Sequence, residues 1–333
     1  MSASSANPPL ISVYDAPPAA YPRISTNDPA VIVDGFHHIA VACSDIAKSK
    51  EFYSKIGFAT SSSADHPTIC VMKNRGGLSL HLSTCDQGIE DDKNLLMDYA
   101  TNKYPGHTHA SFTVPNVAAA QTYIESQGIA ISGDRTRAGK LYAVFARDPD
   151  RTTLEFEKNH GEPEDVVVTG DMIGYPQCMD HVGIRVCDAD EALVWYAETL
   201  GFNLLVNKYE RNPDPLKNFP PWIARTPTAD PAQPNCDINF IVNGNERPTE
   251  NILWAGGRVR PGILAVGFTV SAPLGEVEAR LRAQGVSVVH ESALGASKWA
   301  CLQDKVVLNA AHGGSLFLED REGSLLRLWP SSA

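Results

Sequence analysis

Apolar and polar residues alternate along Phe36–Cys43 with a period of two, which places Ile39, Val41 and Cys43 on one side of a strand and His38, Ala40 and Ala42 on the other. Ser44 or Asp45 can then cap a helix in which Ile46, Phe52, Tyr53 and Ile56 follow roughly helical spacing, and Gly57-Phe58 ends it. The same order recurs three times. Met179–Asp188 leads through Trp195-Tyr196 to Gly201-Phe202, His109–Asn116 leads to Gly128-Ile129, and Ala265–Ser271 leads to Gly285-Val286. Aligned positions 38, 109, 181 and 265 are 71, 72 and 84 residues apart, so the pattern predicts four repeats of one module, paired into two halves. In the first module further strands are expected over Phe58–Ser62, Thr68–Met72 and Leu78–Ser83, with Asn74-Arg75-Gly76-Gly77 as a turn, which makes it a βαβββ unit. The second module closes with Thr153–Lys158 behind an Asp148-Pro149-Asp150 turn, and the fourth with Ser324–Leu328 behind Asp320-Arg321-Glu322-Gly323.

The stretches without this pattern set the expected domain boundaries. Pro8, Pro9, Pro17, Pro18, Pro22 and Pro29 block helix and ladder pairing, so residues 1–30 are expected to form an extended arm. Residues 31–160 then make a first paired-module domain, 161–176 a linker in which Val166–Val168 can add an edge strand, and 177–333 a second domain. A short helix is expected near Leu95–Tyr99. The Pro-rich insert at 207–235, which holds Phe219-Pro220-Pro221-Trp222, is long and aperiodic enough to be read as a functional loop or lid.

Composition narrows the function by exclusion. The chain's 28 basic and 39 acidic residues leave a net charge of −11, which repels a phosphate backbone and argues against nucleic-acid binding. Seven cysteines with no CxxC pair fit reduced thiols. No apolar run is long enough for a membrane span and no signal peptide is evident, so a cytoplasmic protein is expected, monomeric or homodimeric.

The closing strands divide as the first strands do. Leu78, Leu80 and Leu82 oppose Ser79, His81 and Ser83, and Leu154 and Phe156 oppose Thr153, Glu155 and Glu157, so His38, His81, His109 and Glu155 all fall on the non-core face. The module pattern together with Asp148-Pro149-Asp150 and Glu155 resembles the vicinal oxygen chelate superfamily, which includes glyoxalase I, methylmalonyl-CoA epimerase, fosfomycin resistance proteins and extradiol dioxygenases. It does so from about Gly35 to Trp329. The resemblance implies an α+β fold in which four βαβββ modules pair into two cupped, eight-stranded partial barrels, with a divalent metal held by first and last strands. Carried over by position, the ligands are His38, His81, His109 and Glu155, a donor set suited to Zn, Ni, Co, Mn or Fe(II). With only 10 histidines in 333 residues, three in such positions argue against coincidence. His37 and His107 are expected to support the ligands, and His66, His160, His290 and His312 to be solvated or packed.

The second half departs from this set, with His181, Asn239, Ala265 and Arg327 at the corresponding positions. A guanidinium where a carboxylate is expected opposes a metal, so the centre is assigned to the N-terminal domain. Arg185, Asn239 and Arg327 on one concave face are compatible with an anion site, but an ion-pair network, for example with Asp237, is the simpler expectation. Some fused glyoxalases pair modules out of chain order, which here would bring His109 and Glu155 beside His181, with Asn239 as a weak fourth member.

For function, the resemblance implies an enzyme acting on a small molecule that chelates the metal through two adjacent oxygens. Glyoxalase- or epimerase-like proton transfer is the first expectation, with Glu155 and His81 as catalytic groups. Extradiol cleavage on Fe(II) is the alternative and would use a facial triad, His38, His109 and Glu155. His81 at the fourth position opposes it. So does Phe145, which stands ten residues before Glu155 where dioxygenases of this superfamily generally carry an acid/base Tyr, with Tyr142 three residues further back. A non-catalytic binding protein is a third possibility, and the filled ligand positions count against it.

Overall fold

A computed structural model describes residues 29–61, 68–86, 104–137, 139–158, 176–206, 222–226, 236–242, 251–255, 258–307 and 313–331. The arm before residue 29, the helix expected near Leu95–Tyr99, the linker at 161–175 with Val166–Val168, most of the 207–235 insert, and His66, His160 and His312 lie outside the described residues.

All four modules form. The first runs β1 (Gly35–Cys43), α1 (Ile46–Lys55), β2 (Ala59–Thr60), β3 (Ile69–Lys73) and β4 (Ser79–Thr84). The second runs β5 (Gly106–Val114), α2 (Val117–Ser126), β6 (Ile131–Arg137), β7 (Lys140–Arg147) and β8 (Thr153–Lys158). The third runs β9 (Met179–Val186), α3 (Ala189–Leu200), β10 (Asn203–Val206), β11 (Trp222–Arg225) and β12 (Asp237–Val242). A two-stranded ribbon, β13 (Trp254–Ala255) with β14 (Arg258–Val259), precedes the fourth: β15 (Gly262–Val270), α4 (Leu274–Ala283), β16 (Val288–His290), β17 (Leu316–Glu319) and β18 (Leu325–Pro330). Part of the expected insert is therefore a strand, because β11 pairs with both β10 and β12 and supplies the module's missing rung. Asp45, Asn116 and Asp188 cap three of the helices by accepting from Lys48, Ala119 and Glu191 N–H groups, and Gly201 ends α3 in the left-handed region at φ 72°. No helix among the described residues is long and apolar enough to cross a membrane.

The modules do not pair in chain order. One eight-stranded sheet reads β16-β17-β18-β15-β1-β4-β3-β2 and the other β10-β11-β12-β9-β5-β8-β7-β6, so module 1 joins module 4 and module 2 joins module 3. The expected domains 31–160 and 177–333 each contribute half of both sheets. Each pairing carries one close contact between its first strands. His38 lies opposite Gly267 and His109 opposite Gly183, and a Cβ on either glycine would come within 2.1 Å of the imidazole.

Chain-adjacent modules are joined in another way. Tyr53 on α1 donates to Asp148 Oδ2 at 3.0 Å, and Asp148 Oδ1 in turn accepts from the Asp150 and Thr152 N–H groups. Tyr196 on α3 repeats this with Asp320 at 3.1 Å, where Asp320 Oδ1 accepts from Glu322 and Ser324. One apolar cluster, with Ile39, Phe58, Phe112, Phe156, Tyr196, Phe202 and Phe268 among its members, runs through the convex faces of both sheets. The sheets' concave faces form two cups.

The cup of modules 1 and 4 is partly filled by its own chain. Short 3-10 turns at Glu291–Ala296 and Ala300–Leu302 pack Leu294, Trp299 and Leu302 against Ala40, Ala42, Ala265, Phe317 and Leu325. Arg327 is pinned to this plug: it donates to Glu291 Oε2 at 2.9 Å, to Ser315 Oγ at 2.8 Å and to Val307 O at 2.5 Å. Its partner is thus Glu291 rather than Asp237.

Two outcomes follow from the pairing and the plug. Residues 1–160 and 177–333 produced separately should show no cooperative unfolding and hold no metal, whereas the two expressed together should do both; a folded, metal-binding 1–160 fragment would contradict the pairing. Arg327→Ala strands a buried carboxylate and should cost about 3–5 kcal/mol in denaturant unfolding, with Glu291→Gln recovering much of the loss in the double variant.

Candidate metal centre

Three adjacent strands of the second sheet bring three donors together. β5 and β9 run antiparallel with Ser111 opposite His181, and β8 runs parallel to β5 with Glu155 beside Ser111. Because side chains at alternate positions share a face, His109, Glu155 and His181 all project into the cup of modules 2 and 3. His109 Nε2 lies 3.0 Å from His181 Nε2, and Glu155 Oε2 lies 3.2 Å and 3.4 Å from those two nitrogens. Donors that share one ion at bonds of about 2.1 Å are roughly 3.0–3.4 Å apart. The imidazoles meet edge to face, at 86° with centroids 5.0 Å apart, and both Nε2 atoms lie beside Glu155 Oε2. Glu155 Oε2 is fully buried yet makes no well-formed hydrogen bond, as befits an atom kept for an ion.

Neighbouring groups fix the tautomers. The Thr108 hydroxyl donates its one proton to Gly183 O at 3.1 Å, so at 2.9 Å it accepts from His109 Nδ1, which leaves Nε2 unprotonated toward the centre. His181 Nδ1 lies 2.8 Å from Asp180 Oδ2 and 3.1 Å from Glu157 Oε1, both acceptors, so it carries the proton and Nε2 again faces inward. Arg135 Nη1 holds the other carboxylate oxygen, Glu155 Oε1, at 3.1 Å, and its guanidinium lies 4.8 Å over Phe145.

The cluster sets Glu155, Glu157 and Asp180 against the guanidinium of Arg135, and burial together with the charge of Glu157 raises the Asp180 carboxyl to about 7. Burial alone would raise the Glu155 carboxyl, but its contacts with His109 and His181 outweigh burial and hold it at about 2. Burial lowers His109. It also opposes a charge on His181, yet the three surrounding carboxylates push that group well above its ordinary value. The pocket thus favours positive charge, and its two imidazoles and carboxylate suit a divalent transition-metal ion.

The set differs from the one expected. His109 and Glu155 stand where they were placed, but His38 and His81 belong to the other sheet and meet His37 and Arg327 instead. Their place is taken by His181 and, at the fourth position, Asn239, which lies opposite Gly183 on β12 with its Oδ1 buried and unpartnered. Arg185 and Asn239 are in one sheet and Arg327 in the other, so the three do not share a face. His37 touches His38, at 2.7 Å between Nδ1 atoms, whereas His107 is buried away from the triad, its pKa lowered to about 4 by burial. His290 is a helix cap, accepting from Ser292. Of the supporting groups, Glu157 shares the face of Glu155 by alternation, whereas Thr108, Asp180 and Arg135 carry no periodic signal; Gly183 and Gly267, each two residues past an aligned first-strand position, mark where His109 and His38 lie across a strand.

The fold and sequence have known counterparts. No curated protein matches the sequence. Among solved structures, a candidate dioxygenase from Bacillus subtilis subsp. subtilis strain 168 superposes with a TM-score of 0.59 at 13% identity, over 91% of this chain and 87% of that one. Glyoxalase I from Zea mays superposes with a TM-score of 0.54 at 16% identity, over 88% and 91%. At such identities these establish the fold. The sequence itself matches the family model of the Glyoxalase/Bleomycin resistance protein/Dioxygenase superfamily over residues 35–156 and 179–304, two segments that correspond to modules 1 with 2 and 3 with 4. These matches span most of the chain, and the protein belongs to the Glyoxalase/Bleomycin resistance protein/Dioxygenase superfamily.

Proposed function

We propose that the protein is a metal-dependent enzyme centred on His109, His181 and Glu155, which takes a small substrate through two adjacent oxygens in an oxygen-dependent, extradiol-type reaction. The observation that carries this reading is the number of donors. Three side chains converge, and Asn239 rather than a histidine holds the fourth position. With His81 in the other sheet, the main sequence argument against oxygen chemistry falls away. A bound Fe(II) would supply Lewis acidity and redox capacity on a two-histidine, one-carboxylate face with open positions. The chain's own contributions are positional. Arg135 keeps the Glu155 carboxylate turned inward, Thr108 and Asp180 hold the imidazoles, and the Asn239 amide oxygen is available to accept from a substrate hydroxyl.

Phe145 favours a second reading, metal-assisted proton transfer of the glyoxalase or epimerase kind. It lies directly across from Glu155 and offers no acid or base where an oxygenase would use one. In that reading a carboxylate of the centre, Glu155 or Glu157, moves the proton.

The two are separated by oxygen. Stoichiometric O₂ uptake by Fe(II)-loaded protein with a catechol is the expected result; turnover of an α-oxoaldehyde hemithioacetal with Zn, Ni or Co, unaffected by removing oxygen, would overturn it. Loss of the centre's metal is expected in His109→Ala, His181→Ala and Glu155→Ala but not in His38→Ala, read by metal content after dialysis. Gly183→Ala should match the ligand variants, because its Cβ would lie 2.1 Å from His109.

A further inference from the structure

We infer that the cup of modules 1 and 4 holds a second metal site, built from His37, His38 and His81 without any carboxylate, which takes a borderline cation such as Zn(II) or Co(II). One ring nitrogen from each of the three lies within 4.8 Å of the others. His38 Nε2 and His81 Nδ1 are buried and have no hydrogen-bond partner, on side chains only 0% and 6% exposed. A buried imidazole nitrogen left in that state is destabilising, so two on adjacent strands call for a ligand. The backbone beneath is shaped for an imidazole as in the other cup. His38 lies over Gly267, where a Cβ would come within 2.1 Å of the ring, just as His109 lies over Gly183.

Arg327 stands at the carboxylate position, and its charge would expel a cation if it were free. It is matched instead by Glu291 at 2.9 Å and turned toward the plug, with its guanidinium 4.2 Å from the Trp329 ring. The remaining groups are three imidazoles whose ring nitrogens face one another, two of them buried without a partner. Neutral nitrogen donors select Zn(II), Co(II), Ni(II) or Cu(II) and are poor ligands for Mg(II) or Ca(II), which take oxygen. His38 and His81 stack at 3.9 Å and 19° rather than meeting edge to face, so one ring must turn to bind. That makes this site the weaker of the two. His37, the partly exposed member, stacks on Trp329 at 4.7 Å and offers the way in.

The test is titration of the metal-free full chain with Co(II), followed by visible absorption and by metal content. Two equivalents are expected in sequence, the first abolished by Glu155→Ala and the second by His81→Ala. His37→Ala, which leaves the buried pair in place, should weaken the second by roughly tenfold or more and serves if His81→Ala fails to fold. Mg(II) should not compete for it. Saturation of the wild-type chain at one equivalent would overturn the inference, as would a second equivalent that survives both His81→Ala and His37→Ala. Loss of the first equivalent alone would count against the catalytic centre and leave this site standing.

Discussion

Two imidazoles, His38 and His109, lie across a neighbouring strand over a glycine, and each sheet is built around one such contact. Modules 1 and 2 carry the reaching imidazoles, His38 and His109, while modules 3 and 4 carry the receiving glycines, Gly267 and Gly183. In each sheet one module brings the reaching imidazole and its partner the glycine. A methyl group at 2.1 Å is far inside van der Waals contact, so with a side chain at either position the ring would have to leave the place it holds over that strand. Register follows from the same contact, because a slip of one residue would bring a Cβ under the ring and turn the alternating faces over.

Sheet pairing across the chain would leave consecutive modules loosely tied were it not for the Tyr53–Asp148 and Tyr196–Asp320 hydrogen bonds. Each couples the helix of an odd-numbered module to the last turn of the module that follows. Asp148 is the same turn that starts β8, the strand of Glu155, so the position of a metal ligand in one cup depends on a helix belonging to the other. The shared apolar cluster acts in the same sense. The centre is a property of the whole chain, not of either half.

Local pattern carried the modules, the first-strand and last-strand faces and the turns, because each is set by residues near one another in sequence. Ile39, Val41, Leu80, Leu82, Leu154 and Phe156 are core, and His38, His81, His109 and Glu155 are not, as alternation requires. Which module meets which is a long-range choice that periodicity does not contain. The ligand set followed that choice, so His38 and His81 were grouped with His109 and Glu155, and His181 was given a secondary place. The information was present in Gly183 and Gly267, residues that a hydrophobic pattern passes over because they have no side chain to count. β11 is hidden for another reason: Pro220 and Pro221 before it and Pro227 after it signal a loop, whereas pairing with the two strands beside it makes Trp222–Arg225 extended.

The two cups share a backbone and differ in the sign of one charge. At the closing strand of module 2 stands Glu155, at that of module 4 Arg327, and each is nearly or wholly buried. A buried carboxylate beside two further carboxylates needs a cation that the protein supplies only in part through Arg135. A buried guanidinium needs an anion, and here the chain provides it in full by folding Glu291 down on the plug. Filling that cup with its own 3-10 turns is therefore the structural consequence of the substitution, since the plug is what carries the counter-charge. The cup with the carboxylate sets only Arg135 and the His181 imidazole against its acidic groups among the described residues, and a cation from solution would complete that balance.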